Sequence, residues 1–339
     1  MSQNYSDPTF TWNFNKANKN KWKSPLINVA LFFLTLITTT IAGAEWASST
    51  GGPMEFSVIV SNGLPYALAI LFFLSAHEFG HYFASKYHGV DATLPYYIPF
   101  PPIPFFLNFG TLGAVIKTRS RVPNNKIMFD IGVAGPIAGF IASVIILFYG
   151  FTHLPGTEYI LSIHPDYFDP EYAKDSLGLA FGDSLLFSFF RNLFADPNSF
   201  IPPMSEIYHY PYLCVGWFGL FVTTMNMIPV GQLDGGHVIF GMFGIKKHEA
   251  VASISMILLI LLGVMGVLDS FLELNSNIGW SGWLFWSFIL YFFIKVKHPP
   301  VQVFEKLSTG RMILGFISLL ILILSFSPNP FVITIPAGI

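Results

Sequence analysis

Cysteine and charge are what this sequence has least of. Cys214 is the single cysteine in 339 residues, which excludes an internal disulfide and any thiolate metal cage. A metal ion would have to be held by histidines and carboxylates. Charged residues make up only 11% of the chain, whereas a soluble domain carries about 25%. A net charge of -2 offers no electrostatic case for nucleic acid. Low charge with high hydrophobicity is also the reverse of a disordered composition. What is abundant is apolar: 53% hydrophobic residues, 17% aromatic, with 37 Phe. A water-soluble globule could not bury that much apolar surface, so the composition points to a membrane protein.

Seven apolar runs are expected to form transmembrane helices, at about 25–44, 64–87, 127–150, 211–243, 251–268, 281–295 and 312–327. The sixth is short and aromatic enough to be partly interfacial. The expected fold class is therefore an all-α polytopic membrane protein. The first run is too long for a signal-peptide core and lacks a small-residue cleavage site, so it reads as an uncleaved span. The tail before it is rich in Asn and Lys and has no Arg, unlike a transit peptide. Of 17 basic residues, 15 fall on one side of this layout, including Lys16, Lys19, Lys21, Lys23, Lys117, Arg119, Arg121 and Lys126. Only Lys174 and Arg191 fall on the other side, which holds an acidic loop. The positive-inside rule then predicts a cytoplasmic amino terminus and an outer carboxy terminus. The tail favours a prokaryotic plasma membrane. The chain divides into a cytoplasmic tail (1–24), a first span with an outer loop (25–63), a core (64–245) and carboxy-terminal helices (246–339).

Two connections are more than loops. Residues 94–118 are apolar and contain five prolines, which excludes a helix. Phe105–Thr118 is aromatic and β-branched and punctuated by Gly110 and Gly113, which predicts a hairpin. Non-helical apolar backbone at membrane depth requires protein cover or a watery cavity, so a re-entrant or interfacial β element is expected between spans two and three. A loop lying on the membrane surface is the alternative. The acidic stretch 151–210 contains Leu177–Phe194, which suits an interfacial amphipathic helix.

The chemistry begins in span two with His77-Glu78-Phe79-Gly80-His81. Residues four apart on a helix share a face, so both imidazoles can reach one ion, with Glu78 beside them to take a proton from water. The pattern arises by chance in roughly 0.6% of chains with this His and Glu content. Ionisable groups inside an apolar span are expensive and usually functional, which strengthens the metal reading further. A catalytic zinc has three protein ligands and one open position, so a third ligand should come from another span. Span four contains NMIPVGQLDGGH at 226–237, where Asp234 is the span's only acid. An unpaired carboxylate there is costly, and a cation is its natural partner. Pro229, Gly231, Gly235 and Gly236 would loosen the helix around it. His77 falls about 13 residues into span two, about 20 Å at 1.5 Å per residue, and Asp234 near the cytoplasmic end of antiparallel span four, so the depths agree.

With these residues in place, the sequence resembles the site-2 protease family of intramembrane zinc metalloproteases. HEFGH at 77–81 and NMIPVGQLDGG at 226–236 carry the resemblance, supported by FGTLGA at 109–114 and DIGVAGPIAGF at 130–140. The resemblance implies His77, His81 and Asp234 as ligands of one zinc per chain and Glu78 as general base. It also implies regulated cleavage of a substrate's transmembrane segment within the bilayer. Asn226 is a candidate to hold the substrate backbone or stabilise an oxyanion; the alternative is a bond to a carbonyl freed near Pro229. A substrate helix must unwind before attack, and a strand edge within 105–118 could capture it by β-addition.

Other functions stay open. A membrane-bound zincin facing the cytoplasm would take its third ligand from Glu249, Glu273 or Glu305. An ion-conducting protein could use the same four residues as a path, though no inverted repeat accompanies them. A non-proteolytic helix-binding relative is a third. His237 is read as bonding within the bundle or supporting the metal ligands from behind, and Asp130 as favoured by a helix amino terminus. His88, His153, His164, His209, His248 and His298 show no ligand spacing and are expected to be solvated.

Overall fold

Helix boundaries in the protein follow local sequence signals. α3 (Asn125–Thr152) begins where the Asn124 side chain accepts a hydrogen bond from the Ile127 amide at 2.9 Å. Ser184 caps α5 (Leu185–Phe194) in the same way, and α6 (Pro211–Met227) opens on a proline, whose missing N–H is no loss in a first turn. The remaining helices are α1 (Lys23–Trp46), α2 (Phe56–Tyr87), α4 (Thr157–Ile163), α7 (Asp234–Phe243), α8 (Ile245–Leu272), α9 (Gly282–Ile289, continued by a π-helical turn over Leu290–Ile294) and α10 (Thr309–Ser325). Among the described residues, four short strands complete the fold: β1 (Tyr96–Pro99), β2 (Thr111–Val115), β3 (Gly178–Phe181) and β4 (Phe331–Thr334). This computed structural model describes residues 23–48, 54–101, 103, 107–170, 172, 178–272, 274, 276 and 278–334. The tail expected to be cytoplasmic lies outside the described residues through position 22, as do Phe105 and Lys174.

Among the described residues, four helices are long and apolar enough to cross a membrane: Pro25–Trp46, Phe56–Tyr87, Asn125–Thr152 and Ile245–Leu272. Three shorter apolar helices, Leu185–Phe194, Gly282–Ile294 and Thr309–Ser325, accompany them. Large apolar side chains point outward along the long helices, such as Ile254, Ile257, Leu258 and Leu261 on α8. Such a surface suits lipid rather than water. Inside, α2 packs between α1 and α3, and α3 in turn packs on α6 and α7. Tyr66, Ile70, Phe73, Leu147, Phe151 and Trp217 form the centre of the largest core.

Three expectations need correcting. The fourth span is not one helix over 211–243. It breaks between α6 and α7 at residues 228–233, where Pro229 removes a backbone donor and Gly231 takes a left-handed φ of 56°. The hairpin does not lie within 105–118. It pairs Tyr96–Pro99 with Thr111–Val115 in antiparallel register, with an irregularity between Tyr97 and Pro99. The β-prone YYIP segment wins over the aromatic run because it can lie against α1. Asn28 Nδ2 donates to the Pro95 and Leu94 carbonyls (2.7 and 3.0 Å), and Thr38 Oγ1 donates to the Gly110 carbonyl (2.6 Å). Finally, the segment expected as a helix over Leu177–Phe194 is not helical over Gly178–Phe181, which is β3 and pairs antiparallel with β4 from the far end of the chain, Phe181 opposite Phe331. Only Leu185–Phe194 is an amphipathic helix, with Leu186, Phe187 and Phe190 buried.

Candidate metal centre

α2 carries His77, Glu78 and His81 into the interior, where they are 4%, 7% and 7% exposed. The two imidazoles project toward α3. Their Nε2 atoms are 3.2 Å apart, and Asp234 Oδ2, from the first turn of α7, lies 3.4 Å from His77 Nε2 and 3.3 Å from His81 Nε2. The break after α6 makes this meeting possible, because α7 restarts with Asp234 facing α2 and α3. Three donor atoms at these separations match the edges of a tetrahedral site with metal–ligand arms of about 2.0–2.1 Å.

The chemistry of the donors fits a cation as well as their spacing does. His81 Nδ1 donates to the Ile131 carbonyl at 2.7 Å, so in the neutral ring Nε2 carries the lone pair that faces the cluster. His77 Nδ1 is buried with no hydrogen-bond partner among the described residues. Asn226, near the end of α6, brings Nδ2 to 3.5 Å from His77 Nε2. Glu78 is one residue from His77, and the backbone of Ile116, just past β2, lies near its carboxylate. The β-hairpin is also tied to α2 through Ser75 Oγ and Tyr97 Oη, 2.7 Å apart. The structure therefore gathers His77, Glu78, His81, Asp234 and Asn226 around one buried point.

Room for the imidazoles comes from α3. A Cβ on Gly135 would run into the His81 ring, and one on Gly139 would meet His77 Nδ1 at 3.0 Å. Sequence reasoning assigned these glycines no role. Their spacing of four, opposite two histidines spaced by four, was the available signal. The Ile131 carbonyl could not be found from sequence, because any residue supplies one.

The other singled-out groups have separate partners. His237 Nδ1 lies 2.8 Å from His298 Nε2, a bond within the bundle. Asp130 pairs with His88 and Arg311. Glu249 pairs with Lys297, and Glu305 with Lys126, so neither joins the cluster as a third ligand; Glu273 lies outside the described residues. The expectation of solvated loop histidines fails for several. His209, His248 and His298 are each no more than 2% exposed. Periodicity could not reveal this, since His209 and His298 lie on connections, and His248, in the first turn of α8, is buried against Phe240 and His298.

Residues 65–265 match the model of peptidase family M50. Similar proteins include "Probable zinc metalloprotease EGY1, chloroplastic" of Oryza sativa subsp. japonica, 32% identical over 205 residues, covering 58% of this chain and 31% of the relative. The Arabidopsis thaliana protein of the same name is 32% identical over 185 residues, covering 55% and 30%. "Probable zinc metalloprotease EGY2, chloroplastic" of Arabidopsis thaliana is 24% identical over 310 residues, covering 90% and 48%. The chain thus spans between about a third and a half of the length of these relatives. Their names place them in chloroplasts and lend no support to the prokaryotic plasma membrane expected from the tail. No solved structure matches. The family match covers more than half of the chain and takes in both HEFGH on α2 and the Asp234 segment, so the chain belongs to peptidase family M50, the site-2 protease family.

Proposed function

We propose that this protein is an intramembrane zinc metalloprotease that hydrolyses a peptide bond in or near the transmembrane segment of a membrane-protein substrate. The observation that carries the proposal is the buried triangle of His77 Nε2, His81 Nε2 and Asp234 Oδ2, 3.2–3.4 Å on each side, with Glu78 beside it. When bound there, zinc supplies Lewis acidity, making water nucleophilic near neutral pH and polarising the scissile carbonyl.

The chain's own groups supply the rest. Ile131 holds the His81 ring in the tautomer that presents Nε2. Glu78 accepts the proton of the attacking water and delivers it to the leaving amine. Its carboxylate lies near the Ile116 backbone, which places the base beside the hairpin. Asn226 Nδ2 is in position to donate to the carbonyl oxygen as negative charge develops on it. Burial of all these groups keeps bulk water from competing.

The substrate must offer an extended segment, because a helix has its amides already bonded. Among the described residues β2 pairs only with β1, in a two-stranded sheet, and its Leu112 and Val115 side chains are 66% and 50% exposed. The sheet edge is the proposed docking strand, adding the unwound substrate by main-chain hydrogen bonds. In the proposed topology the chain crosses the bilayer seven times and the hairpin is re-entrant or interfacial. The β3–β4 pairing supports the odd number, since it joins β4 to β3 within the acidic 151–210 connection, while Asp130 and Arg311 meet at the opposite end of α3 and α10.

The test is zinc content and proteolysis measured together on purified full-length protein in detergent, with single-span model substrates. Wild type should cleave and hold zinc. Glu78→Gln should hold zinc and not cleave, and Asp234→Ala should lose both. Cleavage surviving in Glu78→Gln would overturn the proposed role of the base. Zinc-replete protein that cleaves no helix would overturn the proteolytic reading.

A further inference from the structure

Among the described residues, two clusters of three metal-ligating side chains bring their donor atoms together, and the second lies far along the chain from α2. His164 follows α4, Glu206 precedes a 3-10 turn over Ile207–His209, and His209 ends that turn. His164 Nε2 is 3.0 Å from His209 Nε2, and Glu206 Oε2 is 3.7 Å from His209 Nε2 and 3.9 Å from His164 Nε2. We propose that His164, Glu206 and His209 form a second divalent-metal site, zinc by its donor set, that fastens the 157–209 segment to the end of α1.

Four observations support it. Glu206 and His209 side chains are 7% and 3% exposed, so neither is a solvated surface group. Glu206 Oε2 is buried with no hydrogen-bond partner, and a buried bare carboxylate oxygen calls for a proton or a cation. His209 Nδ1 donates to the Trp46 carbonyl at 2.7 Å, which fixes the neutral ring with its Nε2 lone pair facing His164 and Glu206. This is the arrangement that Ile131 imposes on His81 in the first cluster. The scaffold is also held from behind, because Tyr159 Oη donates to the His209 carbonyl at 2.6 Å. Two imidazoles and a carboxylate are a zinc donor set.

The site would do mechanical work. Trp46 closes α1 and also donates through Nε1 to the Asn108 carbonyl at 2.7 Å, next to the hairpin that flanks Glu78. A metal at His209 would tighten the chain from the 157–209 segment through Trp46 to that hairpin.

The experiment uses full-length protein in detergent, loaded with zinc and passed through gel filtration before metal analysis, with cobalt absorption as a second readout. Wild type should retain about two zinc ions per chain, and His77→Ala/His81→Ala about one. Adding His164→Ala to that variant should remove the remaining ion, and zinc should no longer raise its Tm. Glu206→Gln alone should lower wild-type content from about two to about one while leaving the first site loaded. A His77→Ala/His81→Ala protein with native-like circular dichroism that binds no zinc would overturn the proposal. So would full wild-type content in Glu206→Gln. Failure of the protease reading looks different: no change in zinc on replacing His77 and His81, or no cleavage by loaded wild type.

Discussion

Asp130 and Arg311 are 181 residues apart in sequence and meet through two parallel bonds, Nε to Oδ1 and Nη2 to Oδ2, both 2.7 Å. His88 Nε2 adds a third contact to Asp130 Oδ2 at 2.9 Å. The pair joins the starts of α3 and α10 and so fastens the carboxy-terminal helix to the core that carries the metal cluster. The Arg311 and Asp130 side chains are 32% and 21% exposed, which limits the pair's value through solvent screening. A double-mutant cycle of Arg311→Ala with Asp130→Asn should give a coupling of about 1 kcal/mol, at the upper end for a pair this exposed. Arg311→Lys keeps the charge but loses the fork, and should recover less than half of that coupling. Zero coupling in thermal unfolding would mean the two-pronged contact does not hold α10 in place.

Gly135 tests the metal cluster without touching a proposed ligand. A Cβ there runs into the His81 imidazole, while the helix itself gains a better helix former. Gly135→Ala should therefore preserve helix content yet cut cleavage and zinc affinity by about 100-fold, the upper range for disturbing a ligand's support. Gly139→Ala meets His77 Nδ1 at 3.0 Å, a contact that a small ring shift relieves, and should cost about 10-fold. Zinc titration on both variants checks the order. Equal zinc affinity in Gly135→Ala and wild type would show that the ring has space the structure does not give it.

What could be read from sequence was what depends on periodicity and on residue type. The long apolar helices, the HEFGH face and the need for a carboxylate partner all follow from local pattern, and His77, His81 and Asp234 do meet. What could not be read was set by long-range contact. β3 finds β4 across about 150 residues, a pairing no local pattern encodes. The hairpin depends on Asn28 and Thr38 of α1 reaching the Pro95 and Gly110 carbonyls, just before its first and second strands. His164 and His209 show no ligand spacing because a loop and a 3-10 turn, not one helix, bring them together.

The exposed side chains of β2 allow the docking strand to be tested apart from the chemistry. Leu112 is 66% exposed, so Leu112→Lys should leave the fold and zinc content unchanged. It should raise KM for a single-span substrate about 5–10-fold, with kcat changed less, if one or two main-chain bonds at about 1 kcal/mol each are weakened. Val115→Pro removes a backbone donor opposite Tyr96 and should lower cleavage further. A substrate carrying a helix-breaking proline or glycine near its cut site should be less sensitive to both changes, since it pays less to unwind. Unaltered KM in Leu112→Lys and Val115→Pro would remove β-addition from the mechanism.

His298 sets an acid limit on stability. It is 2% exposed, stacks on Phe240 with ring centroids 4.0 Å apart, and its Nδ1 donates to the Pro299 carbonyl at 2.6 Å. Burial, with His237 and His248 nearby, holds it down at about 3. The unfolded chain titrates its histidines near 6.5. A folded value below the unfolded one means that the unfolded state takes up the proton first, so stability is complete above about pH 6.5 and falls as pH drops toward 3. By pH 5 the loss from this one group is about 2 kcal/mol. Wild-type Tm should therefore decline between pH 7 and 5, before most carboxylates titrate. His298→Phe preserves the stack on Phe240 and removes the titration, so its Tm should be lower at pH 7, where the His237 bond is lost, and flatter toward pH 5. A variant whose Tm falls as steeply as wild type would place the acid sensitivity in another group.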